Sequence, residues 1–124
     1  MDMITNSTKG KLPNLPFVAM KNSALGKKYD LSLVFAPKKV LQTLNRQYRH
    51  KNKTTDILSF PLSDSSGEIF INLAEARKES KKFGRNLKNF VGFLFIHGLV
   101  HLKGFKHGSR MEREEEKIRL RFGI

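Results

Sequence analysis

The stretch over residues 87–103 limits the fold more than any other, because Leu87, Phe90, Val91, Phe93, Leu94, Phe95, Ile96, Leu99, Val100 and Leu102 make it apolar nearly all round. A helix without a polar face has to be enclosed by other elements rather than laid on a surface. The pattern therefore predicts a buried central helix, and 124 residues allow one core around it. One domain over residues 1–124 is expected. The uninterrupted apolar run inside the stretch, residues 90–96 counting Gly92, falls far short of the roughly 20 residues that span a bilayer. A soluble chain with no membrane partner is expected.

That helix carries chemistry. His97 and His101 lie four residues apart, so they leave the same helical face with a rise of about 6 Å between them. On a continuing helix His107 would point elsewhere. Gly104 can adopt positive φ after the helical end and turn the chain back. The three imidazoles are thus predicted to close on one metal ion. Zinc is the first choice, one ion per chain, because imidazole suits it and three protein nitrogens leave a fourth position open, as catalytic sites do. Burial makes the platform rigid and favours the neutral, ligating imidazole. The histidine spacing equals that of H-E-x-x-H-x-x-G-x-x-H zinc peptidases, but Gly98 stands where those enzymes carry their glutamate base. The cage is kept without that base.

Composition narrows the partner. The chain has no cysteine, which removes disulfides, thiolate ligands and a thiol nucleophile together. Lys and Arg number 24 against 11 Asp and Glu, a formal charge of +13. Such a surface attracts a polyanion, RNA or DNA, with an anionic membrane as the competing target. Residues 1–6 show no basic segment leading into an apolar core, so secretion is not indicated and a cytoplasmic location is expected.

The remaining elements follow from periodicity. Leu31, Leu33 and Phe35 alternate as in a half-buried strand, and after Pro37 a helix is predicted from Val40, Leu41, Leu44 and Tyr48, with Arg49 and Lys51 just beyond its end. Residues 56–61 and 68–71 read as two strands of a hairpin around a Ser/Asp/Gly-rich turn at 63–67. Asn72, with Glu75 three residues on, starts a helix to about Phe83 whose Arg77, Lys78, Lys81 and Lys82 form a basic face. Ser109 and Glu112 fit a capping box for a last helix, where Glu114, Glu115 and Glu116 suit the positive helix end and are assigned no chemistry. Before residue 30, a short strand near Met3, a helix after Pro16 and a turn over 22–28 are expected. The fold class is α+β: a mixed sheet, mostly antiparallel and containing the hairpin, packed with several helices around the buried one.

With these residues in view, His97-Gly98-x-x-His101-Leu102-x-Gly104-Phe105-x-His107 resembles the H-G-x-L-H-L-x-G-[FY]-D-H signature of the YbeY proteins, bacterial metal-dependent RNA hydrolases associated with ribosomal RNA maturation. The likeness continues through Leu44-Asn45-x-x-Tyr48-Arg49-x-Lys51, Thr55-Asp56-Ile57-Leu58-Ser59-Phe60-Pro61 and Gly67-Glu68-Ile69, and so spans about two thirds of the chain. It implies zinc on His97, His101 and His107, and Arg49 as the catalytic cation in a positive cleft facing the metal. It further implies single-strand-specific endoribonuclease activity in small-subunit ribosomal RNA 3′-end processing and ribosome quality control, with RNA and small-subunit ribosomal proteins as partners. One departure stands out: Lys106 occupies the family's aspartate position, where it opposes a metal if it points inward and can meet phosphate if it points outward. Arg49 would clamp the scissile phosphate, and Lys51 and Lys53 would guide the backbone. The attacking group is either a metal-activated water or the RNA 2′-hydroxyl. Two rival readings are a non-catalytic ribosome-assembly factor with a structural metal and, less well supported, a zinc peptidase.

Overall fold

The computed structural model describes residues 3–124; Met1 and Asp2, part of the stretch read for a leader, lie outside the described residues. The chain runs β1 (Ile4–Asn6), α1 (Phe17–Leu25), β2 (Asp30–Phe35), α2 (Lys38–Arg49), β3 (Ile57–Ser63), β4 (Ser66–Ile71), α3 (Leu73–Lys82), α4 (Leu87–Leu102) and α5 (Ser109–Phe122). The strands form one sheet in the order β1-β2-β4-β3. It is mixed, as expected. The hairpin supplies its antiparallel pair, with Leu58 opposite Phe70, while β1–β2 and β2–β4 are parallel, with Leu33 opposite both Ile4 and Ile69. The sheet is therefore not mostly antiparallel, since two of its three pairings are parallel: the chain leaves β2 through α2 and β3 before β4 returns beside it, and such a crossover sets strands parallel.

The helix α4 is the centre of the molecule. Phe90, Val91, Leu94, Phe95, Ile96, Leu99 and Val100 are all buried on it, and α1, α3, α5, β3 and β4 pack around it. Leu31, Leu33 and Phe35 of β2 and Ile69 and Ile71 of β4 point into this core, as their alternation requires. On the opposite sheet face α2 seats Leu41 over Ala36 and Leu58, a smaller cluster edged by Phe60 and Phe70. Gly98 lets α4 approach the sheet closely: a Cβ there would stand 2.9 Å from Ser59 Oγ and 3.0 Å from Ile69 Cδ1.

Two boundaries differ from expectation for physical reasons. Residues 22–25 continue α1, because Phe17, Met20 and Ala24 bury one helical face, and the turn begins only at Gly26. The buried Lys21 ammonium then gathers that turn by donating to the carbonyls of Gly26, Lys27 and Tyr29. At the other end Ser109 is the first residue of α5 and Gly108 holds the cap position with no side-chain cap bond, so the capping box is not formed. The Asn72 cap does form, accepting from Glu75 N at 2.7 Å and donating to Ala36 O at 3.1 Å. Among the described residues no helix is long and apolar enough to cross a membrane.

Candidate metal centre

His97 and His101 project together from the last two turns of α4, and their ring centroids stand 4.7 Å apart. The helix ends at Leu102 with Lys103 as its cap, and Gly104 takes φ +105°, a conformation that side chains resist. Beyond it Phe105 N donates back to Val100 O at 3.3 Å and the ring packs against the core. That anchor returns the chain over the helix end. His107 arrives with its ring 4.6 Å from His101 and 5.4 Å from His97. One ring nitrogen of each histidine lies within 4.8 Å of the others. A tetrahedral zinc with nitrogens at about 2.0–2.1 Å sets them about 3.4 Å apart, so binding would draw the three rings closer together. The donor set, three imidazoles, fits zinc chemistry.

Proton placement suits the same role. Burial, followed by the neighbouring His97 and His107, pushes His101 below the ordinary imidazole value of 6.5 and favours its neutral form. His97 Nδ1–H donates to Glu115 Oε1 at 2.8 Å. A carboxylate only accepts, so this contact calls for the tautomer with the ring proton on Nδ1, which leaves Nε2 for a ligand. Glu115 is buried on α5, and it does not belong to the histidine grouping. By sequence alone it belongs with the dipole-compatible glutamates Glu114 and Glu116. The signal was its spacing: Met111, Glu115 and Ile118 fall four and three residues apart on one helical face and are all buried. A carboxylate in an apolar stripe calls for a partner.

A cavity of about 600 Å³ opens beside the histidines, lined by His97, His101, His107, Arg49, Thr55 and Ser59 among others. Arg49 is the last residue of α2 rather than just beyond it. The chain leaves through His50 in a left-handed conformation, and the buried Asn45 side chain secures the following loop by donating to Lys53 O at 3.0 Å. Lys51 and Lys53 line a neighbouring hollow with Arg49, Glu75 and Glu79, not the histidine cavity. Burial raises Asp56 above its ordinary value, and Glu79 and Glu75 add to that. Lys106 is exposed and lines an outer hollow with Lys103 and Arg110. The outward alternative is the geometry observed. The basic face of α3 is exposed, and two of its cations, Lys78 and Lys82, pair with Glu75 and Glu79 at 4.0 and 3.3 Å.

Three histidines that could hold one metal ion thus share a cavity with Arg49. A family model described as Endoribonuclease YbeY matches residues 6–122. A Campylobacter jejuni protein named endoribonuclease YbeY is 41% identical over 105 residues, covering 77% of this chain and 78% of the relative. One from Staphylococcus carnosus with the same name is 30% identical over 117 residues, covering 85% and 76%. A solution structure of a Thermotoga maritima protein superposes with a TM-score of 0.67 at 23% identity, covering 98% of this chain and 90% of that one. At that identity the superposition speaks for the fold.

Proposed function

The chain belongs to the endoribonuclease YbeY family, and on that premise we propose that it hydrolyses RNA phosphodiester bonds with one zinc ion held by His97, His101 and His107. The observation that carries this reading is the convergence of the three imidazoles on one point beside the cavity that Arg49 also lines. When bound, zinc supplies a Lewis acid for a phosphate oxygen and for an activated water. Arg49 binds the scissile phosphate with its planar fork of donors and stabilises the charge growing on the equatorial oxygens. Glu115 holds the His97 ring in orientation and keeps its proton away from the ligand nitrogen. Ser59 and Thr55 offer hydroxyls along the same wall. The substrate is single-stranded ribosomal RNA, with 3′-end maturation of the small-subunit RNA as the cellular task, carried out in the cytoplasm alongside ribosomal proteins.

Gly98 argues against the peptidase alternative on steric grounds. A glutamate there would run into Ser59, Ile69 and Ile57. An assembly factor with a structural metal remains distinguishable by turnover. Zinc content and cleavage of a single-stranded RNA are to be measured together on wild type, His97→Ala and Arg49→Ala. Loss of both zinc and cleavage in His97→Ala, with cleavage alone lost in Arg49→Ala, is the expected result. Equal cleavage by wild type and both variants marks a contaminating ribonuclease and overturns the proposal.

A further inference from the structure

His97 and His107 line a second cavity, of about 590 Å³, that Arg49 does not reach. Its walls differ in kind from the first. Phe83, at the end of α3, stacks on the buried Phe90 with centroids 5.3 Å apart and an interplanar angle of 27°. Despite that stacking it stays 58% exposed. Arg119 closes one side, its guanidinium 5.3 Å from the centre of the Phe93 ring. Carboxylates of Asp56, Glu112 and Glu116 complete the lining.

An aromatic ring held by Phe90 on one contact and tilted against Phe93 at 6.0 Å on another, yet more than half exposed, is a poor surface feature unless something flat covers it. Carboxylates beside it repel phosphate and accept from N–H groups. A neutral, planar group bearing amino donors meets both demands, and a nucleobase is such a group. The cavity touches the histidines, so a base entering it stays connected to a phosphate held at them.

We propose that this cavity is a nucleobase subsite, in which a base flanking the cleaved phosphate stacks on the exposed part of the Phe83 ring with its amino edge toward the carboxylates. The inference rests on the ribonuclease reading and adds to it a residue that selects for unstacked bases. A base paired within a duplex cannot swing into the cavity, whereas one in a single strand can.

The test uses the zinc-loaded protein and a fluorescein-labelled single-stranded RNA, with an abasic residue moved through each position in turn. Binding is followed by anisotropy and cleavage by product formation. Phe83→Ala and Phe83→Leu are expected to raise Kd and KM about tenfold or more, the scale of one base–aromatic stack, with kcat within about twofold because the stack is present in ground and transition states alike. Phe83→Trp restores both. One abasic position weakens wild type to the same extent and costs Phe83→Ala nothing further. Phe83→Leu keeps the apolar cover over Phe90, so a loss shared with Phe83→Ala reflects the missing ring and not a damaged fold. If wild type cleaves and the Phe83 variants bind and cleave as it does, or if abasic and Phe83 losses simply add, the subsite is overturned while the ribonuclease reading stands. Absence of cleavage by wild type fails the ribonuclease reading instead, and the anisotropy comparison still decides the subsite. RNA affinity unchanged in every variant points to a protein as the cover for Phe83, and refutes the proposal.

Discussion

With Glu115 accepting from His97 Nδ1–H at 2.8 Å, the imidazole is locked in one tautomer and one orientation by a charge-assisted bond. Glu115→Gln keeps the shape but removes the charge, and its amide can present either a donor or an acceptor to the ring. Zinc affinity is expected to fall by about 10- to 100-fold, read by competition against a chromophoric chelator; unchanged affinity would show that Glu115 serves α5 alone. Asp56 makes a different prediction. Its folded pKa lies above the ordinary 3.8, through burial first and then Glu79 and Glu75. The folded state therefore holds the proton more tightly than the unfolded one, so the group's favourable contribution is complete at pH below about 3.8 and is lost as pH rises through the folded value. At neutral pH the ionised carboxylate is a burden on the fold. Asp56→Asn should raise the melting temperature at pH 7, with the gain shrinking toward pH 4. A gain that is the same at both pH values would assign it to packing.

At the scale of elements, α4 was the most legible part of the chain, while α5 was legible as a helix but not in what its buried face meets. An apolar circumference admits one environment, so burial of α4 followed from Leu87 to Leu102 directly, and the two histidines came with it. The position of His107 was legible too, because Gly104 marks where the helix must end. Arg49 and the histidines share a cavity only because α2 ends at the start of the loop into β3, a tertiary relation that the family signature carried and periodicity could not. Glu115 was missed because charge at a helix start has a sufficient local explanation, and its burial depends on how α5 leans on α4. The close passage of α4 over the sheet was likewise invisible until the neighbours of Gly98 were known. It predicts that Gly98→Ala, mild for an isolated helix, forces α4 away from Ser59, Ile69 and Ile57. Overpacking of this kind costs about 1–3 kcal/mol, measurable by urea unfolding. Zinc affinity should fall as well, since His97 precedes the displaced residue. A variant as stable as wild type would mean that the sheet yields instead of the helix.

Across the whole molecule, a formal charge of +13 sets the terms on which a polyanion is met. Part of it is compensated locally: Lys103 and Lys117 approach Glu114 at 2.6 and 3.7 Å, and the Lys103 ammonium holds the Glu114 carboxyl below its ordinary value. Arg49, Lys51 and Lys53 instead line hollows near the cleft, and Lys106 and Arg110 an outer one touching His107. Attraction is thus spread around the opening of the site, while the acidic lining of the Phe83 cavity discourages phosphate from settling there. Long-range capture and local alignment should then respond to salt differently. For a single strand, log affinity falls with log salt at about 0.7 per phosphate contacted, so about six contacts weaken binding roughly 300-fold between about 50 and 200 mM salt. In the proposed mechanism Arg49 acts at short range inside the cavity it lines, where screening by mobile ions is weaker. KM is therefore expected to climb steeply over that range while kcat stays nearly level, in single-turnover measurements at saturating and subsaturating RNA. A parallel fall in kcat would place the salt-sensitive contacts at the reacting phosphate itself and remove the proposed division between a basic surround that gathers RNA and a histidine centre that cuts it.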